Sequence, residues 1–149
     1  MSRLFAGLSL AFVLLGIPME KATGMPIMNK SGDFTQSRND SEPLMTWRVT
    51  DPTGLNCRMT QKFKGFTFAD MSAPDEMFEN NRHNFGSWNV LVNFPHGQRL
   101  DSSGLSNSPV PILMTDRGGK VWVAVKSAKG MCFVRGNKRH IMPLYDYPE

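Results

Sequence analysis

Residues 112–135, ILMTDRGGKVWVAVKSAKGMCFVR, leave the chain little freedom in how it folds. Val121, Val123 and Val125 alternate with Trp122, Ala124 and Lys126, which is the two-residue period of a half-buried strand. Asp116, Arg117, Gly118 and Gly119 tolerate turn geometry and let the chain double back before that strand; Ala128, Lys129 and Gly130 do the same after it. Alternation then resumes, with Cys132 and Val134 on one face and Met131, Phe133 and Arg135 on the other. A meander this compact is stable only when its apolar face is covered, so the remaining residues must supply the cover.

Short strands are what the rest of the chain offers. In residues 46–50, Trp47 and Val49 point inward, and Asp51-Pro52-Thr53-Gly54 fits a type I turn into a strand that carries Leu55 and Cys57 on its core face. Residues 88–94 form a strand with Trp88, Val90, Val92 and Phe94 on one side, and residues 98–100 begin another. Residues 136–140 make one tight helical turn, after which Ile141 and Leu144 return to the core. Between strands lies a long excursion, 59–87, containing the aromatic-basic run QKFKGFTF and a short helix expected from Ser72 to Asn81. Six or seven short strands and no long helix give an all-β chain, a small barrel or sandwich.

Residues 1–24 read as a signal peptide: Arg3 supplies the charged start, 4–17 the apolar run, and Ala22-Thr23-Gly24 a small-residue cleavage site. An uncleaved anchor is the other reading of that run, which is short for a bilayer span. Residues 25–44 are polar and aperiodic and read as a disordered tether, so the folded domain is expected at 45–146. Losing residues 1–24 removes two of the 17 basic and one of the 13 acidic side chains, and +3 remains. That is no dense basic stripe, so nucleic acid is not an expected partner. Two cysteines in an exported chain read most simply as a disulfide, two free thiols being the alternative. Joining Cys57 to Cys132 closes a loop worth about 4 kcal/mol of chain entropy.

Across residues 47–144 the chain resembles the bacterial SH3-like (SH3b) family. Asp51-Pro52-Thr53-Gly54-Leu55-Asn56-Cys57-Arg58 is similar to that family's opening D-x-x-G-L-N-x-R strand, and Gly119-Lys120-Val121-Trp122-Val123-Ala124-Val125 to its G-x-x-W-x-x-V strand. Phe94-Pro95-His96-Gly97-Gln98-Arg99-Leu100 resembles its central element, and Cys132-Phe133-Val134-Arg135 its closing strand. The resemblance implies an SH3-like barrel whose first and last strands are neighbours, placing residues 55–58 beside 131–134. It also implies a binding role, although 59–87 is a long insertion where that family has a short segment.

The chemistry-bearing residues are few. His83, His96 and His140 stand at no metal-ligand spacing, and both cysteines face inward by period, so neither catalysis nor a cofactor is expected. Phe63, Phe66 and Phe68 with their lysines are candidates to line a groove for peptide or glycan, against the plainer reading of a loop folding its rings onto the barrel. Trp88 and Trp122 lie on strands, where core packing is the default. Trp122 faces away from the three valines, however, which in a barrel places it near the rim or the groove; Trp122 and Arg135 are therefore further ligand-binding candidates. Lys126, Lys129, Arg135, Lys138 and Arg139 gather near the C-terminal turns, either as solvated surface or as contacts for anionic polymer. The expectation is a secreted or periplasmic, non-catalytic SH3-like module that binds peptide, cell-wall polymer or an envelope protein, with no membrane span once the signal is removed. A small interaction subunit that buries 59–87 against another chain is the alternative.

Overall fold

The computed structural model describes residues 27–35, 46–67, 75–102 and 112–144. The expected signal peptide and the candidate Phe68 lie outside them. The chain is all-β. In order the strands are β1 (Ile27–Met28), β2 (Phe34–Thr35), β3 (Thr46–Val49), β4 (Leu55–Met59), β5 (Asn89–Phe94), β6 (Arg99–Asp101), β7 (Leu113–Thr115), β8 (Val121–Ser127), β9 (Gly130–Arg135) and β10 (Ile141–Leu144). Single 3-10 turns stand at Gln61–Phe63, Asp75–Phe78 and Phe85–Ser87, so the helix expected over 72–81 is reduced, among the described residues, to the turn at Asp75–Phe78.

Every pairing is antiparallel, in three sheets: β1-β2, β10-β3-β6 and β5-β4-β9-β8-β7. Among the described residues no continuous ladder closes these sheets into the expected barrel. The chain leaves the five-stranded sheet after Phe94 and enters the three-stranded one at Arg99 through a turn. There the Gly97 amide donates to the Val49 carbonyl (2.8 Å) and the Val49 amide to the Gln98 carbonyl (2.9 Å).

The turn expected at 51–54 forms with its closing bond, Gly54 N–H to the Asp51 carbonyl at 3.1 Å. Gly54 has φ +83°, and a Cβ there would lie 3.0 Å from the Phe94 carbonyl oxygen, so the position requires glycine. β4 then alternates as the sequence implies, Leu55, Cys57 and Met59 buried and Asn56 exposed. Cys57 and Cys132 are bonded, with Cα atoms 5.5 Å apart, and β4 lies beside β9 with Arg58 opposite Phe133.

Two expectations fail, for one reason: cover arrives from parts of the chain far away in sequence. The meander strand β8 is buried on both faces, Val121 through Val125 all being under 8% exposed, and not half-buried as its period implies. Its valine side shares a core with Trp47, Val49, Leu100 and Ile141 of the three-stranded sheet. The opposite side, with Trp122 and Phe133, is covered by the insertion: the Phe85 ring lies 4.6 Å from Phe133 and 5.7 Å from Trp122.

The tether is the second departure. Residues 27–35, read from sequence as disordered, form a hairpin that belongs to the fold. Asn29 Oδ1 accepts from the amides of Ser31 and Asp33 and shapes the turn. Phe34 is 3% exposed, its ring 5.0 Å from that of Trp47. Asp33, also buried, accepts from Asn137 Nδ2 (2.7 Å) and pairs with Arg135 (2.6 Å), while Phe34 N–H donates to the Gly136 carbonyl (3.0 Å). A buried carboxylate costs several kcal/mol unless it is paired, and here it is paired by groups about 100 residues downstream. Residues 27–35 are therefore packed on the domain expected at 45–146. Phe34→Ala should lower unfolding free energy by about 3 kcal/mol in urea denaturation followed by tryptophan fluorescence; a loose tether would show no change.

Candidate functional site

The insertion's described aromatics turn inward. Phe63 and Phe85 are buried, and Trp88, half-buried, sits edge-on to Phe85 at 4.6 Å. His83 lies among these rings, 6.0 Å from Phe63 and 5.2 Å from Trp88, with Nε2 2.6 Å from the Glu76 carbonyl. Outside the ring cluster, Glu76 is paired with Lys62 and Arg82, and these cations hold its carboxyl below the usual range. Phe63 thus offers no open face for stacking a ligand. Phe66 is partly buried, and its carbonyl accepts the Met131 amide at 2.9 Å.

Of its two expected places, core and rim or groove, Trp122 takes the core. It is 5% exposed, and its indole N–H donates to Asp116 Oδ2 at 2.8 Å. The other oxygen of Asp116 accepts from the amides of Gly118 (2.8 Å) and Lys120 (2.9 Å), so one carboxylate shapes the turn before β8 and satisfies the buried indole. Arg135 is spent on structure too, donating to the Val121 carbonyl (2.5 Å) and pairing with Asp33. Of the ligand-binding residues expected from sequence, the described ones form no common surface; Cys57 and Cys132 form the expected bond.

The histidines are held by acceptors. His140 Nδ1 lies 2.8 Å from Asp51 Oδ2, and His96 Nδ1 lies 3.3 Å from the Asp51 carbonyl. Among the described residues no group of three or more His, Cys, Asp or Glu is placed to hold a metal. Asp51 ties the 51–54 turn to the last turn of the fold. Bonds from the Thr53 hydroxyl (2.7 Å) and His140, with the Thr53 amide (3.0 Å), hold its carboxyl down to about 2.

What the structure opens to solvent lies elsewhere. A groove of about 610 Å³ runs between β5 and the β8–β9 turn, with residues 90–94 as one wall, 126–129 as the other, and Gln98 adding to the lining. Among the described residues β5 is an edge strand, paired only with β4. Its ladder is irregular: Cys57 faces Val92 and Arg58 faces Val90, so Leu91 is an extra residue with nothing opposite it. That bulge breaks the alternation expected for residues 88–94, and Val90 is 47% exposed while Phe94 is buried. The Leu91 carbonyl instead accepts from Lys129 Nζ at 3.3 Å. Across the groove, Lys126 pairs with Asp101 at 3.0 Å.

The turn that carries Lys129, with Lys126 near the end of β8, is closed by Ser127. Ser127 Oγ donates to the Gly130 carbonyl (2.6 Å) and accepts from the Lys129 amide (3.1 Å). Gly130 has φ +101°, and a Cβ there would press on the Phe66 carbonyl at 3.1 Å. Lys126 and Lys129 were legible as part of a basic gathering. The apolar wall was not, because a bulge leaves no trace in an apolar-polar pattern.

A scan against protein-family models finds no match for this chain, and searches of curated proteins and of solved structures find none either.

The Asp51 joint should make stability depend on pH. Its carboxyl is depressed in the fold, so the stability it contributes is present above the unfolded carboxylate value, about 4, and is lost as pH falls toward 2. Asp51→Asn should flatten the acid limb of a stability-versus-pH curve measured by urea denaturation between about pH 4 and 2; an unchanged limb would contradict the joint.

Proposed function

We propose that this chain is an exported, non-catalytic SH3-like module that binds peptide, cell-wall polymer or an envelope protein through the groove between β5 and the β8–β9 turn. The groove carries the reading: about 610 Å³, with an aliphatic wall at 90–92 and Lys126 and Lys129 on the wall opposite. Its size falls in the range of ligand sites, and its mixture of apolar wall and few polar groups is typical of them.

Export is supported by the Cys57–Cys132 bond, since disulfides persist in oxidising compartments, and by the apolar run 4–17 behind Arg3. Among the described residues no helix is long and apolar enough to cross a membrane. The SH3-like arrangement is supported by the pairing of β3 with β10 and by the adjacency of 55–58 to the last long strand. The alternative, a subunit docking through the insertion, is weakened because Phe63, Met77 and Phe85 face the chain's own core.

Titration of isotope-labelled protein with soluble cell-wall fragments and with short peptides, read by backbone amide shifts, tests the reading. Shifts should gather at residues 90–94, 98 and 126–130 while 63–66 and 122 stay put. Shifts confined to the aromatic insertion would contradict it.

A further inference from the structure

The groove's chemistry narrows the occupant, on the premise that the groove is the binding site. Among the described residues its wall is an edge strand, where backbone groups not used by β4 are available to a ligand. A long exposed edge invites indiscriminate pairing, and bulges and lysines are the usual protection against it. Here both devices act at one residue, the bulge at Leu91 and the ammonium of Lys129 on its carbonyl. That contact is long for a hydrogen bond, and Lys129 is exposed, so a better acceptor displaces it at little cost. The charged side chains lining the groove are Lys126 and Lys129, with no acid among the lining residues, and Lys126 already pairs with Asp101.

We infer that the groove recognises an extended acidic peptide, whose carboxylate takes Lys129 from the Leu91 carbonyl while a peptide N–H takes its place on that oxygen. The exchange conserves hydrogen bonds. The lysine trades a neutral carbonyl for a carboxylate, a stronger partner, and the carbonyl trades an ammonium for an amide donor. Val90 supplies the apolar contact beside them. A glycan is the poorer fit, because sugar rings pack on open aromatic faces and the one ring lining the groove, Phe94, is 4% exposed. The bulge limits pairing to a short stretch, so the site reads a local feature and does not template a long strand.

The test uses the oxidised protein and two five-residue peptides, Val-Glu-Val-Asp-Val and its amide counterpart Val-Gln-Val-Asn-Val, both capped, with shifts followed at residues 90–94 and 126–130. The acidic peptide should bind about fivefold more tightly at low salt, a difference worth one exposed charge pair. Added salt should shrink that difference, and Lys129→Met should abolish it while the spectrum shows the fold intact. Equal binding of both peptides in the groove would overturn the acidic preference and leave the groove itself standing. Shifts in the groove caused by soluble cell-wall glycan but by neither peptide would overturn the choice of peptide. Silence in the groove with every probe would remove the site and this inference together.

Discussion

The bond between Cys57 and Cys132 is the constraint on which the other contacts rest. It ties β4 to β9 across 75 residues of chain, and loop closure on that scale contributes about 4 kcal/mol. That is comparable to the net stability of a small domain. Its position matters as much as its size. Met59 at the end of β4 stands opposite Asn89 at the start of β5, so the insertion leaves and re-enters the fold at one rung of the ladder. With its base clamped there, the insertion has only to lay Phe63, Met77 and Phe85 on the sheet. Phe85 on Phe133, one residue from Cys132, completes the contact.

The second organising feature is the paired burial of charge. Asp116 and Asp33 are both under 5% exposed, and each is satisfied from more than one direction. Asp116 serves the turn that launches β8 and the indole of Trp122, an arrangement within a few residues of itself. Asp33 is held by Arg135 and Asn137 at the far end of the chain, and through it the hairpin 27–35 becomes part of the domain. Removing either partner would leave an uncompensated charge in a dry place, which is why these networks hold segments so firmly.

Local chemistry was legible in the residues, and distant cover was not. The 51–54 turn, the alternation of β4 and the strands of the meander all follow from neighbours in sequence, and all are present. The cysteine pairing followed from their even number and the compartment expected of the chain. Trp122 stood between core and rim because its own period said nothing of Phe85 arriving from the insertion. The hairpin was missed because strands of two residues show no period, and its anchors, Phe34 on Trp47 and Asp33 on Arg135, are contacts between remote positions. The groove escaped notice for a similar reason: the bulge at Leu91 is a property of the β4–β5 pairing and not of residues 89–94 alone. The lysines facing it were visible, but only as two charges among several.

The fold depends on the 57–132 link holding the two sheet strands together. Equilibrium unfolding in urea of the protein with the bond intact, against the Cys57→Ala/Cys132→Ala double variant, measures that dependence directly. The intact protein should be more stable by about 4 kcal/mol, and the variant should expose Trp88 to quenching as the insertion loosens. Equal midpoints and equal slopes for the two proteins would show that the bond organises nothing, and that the sheet and its insertion hold together without it.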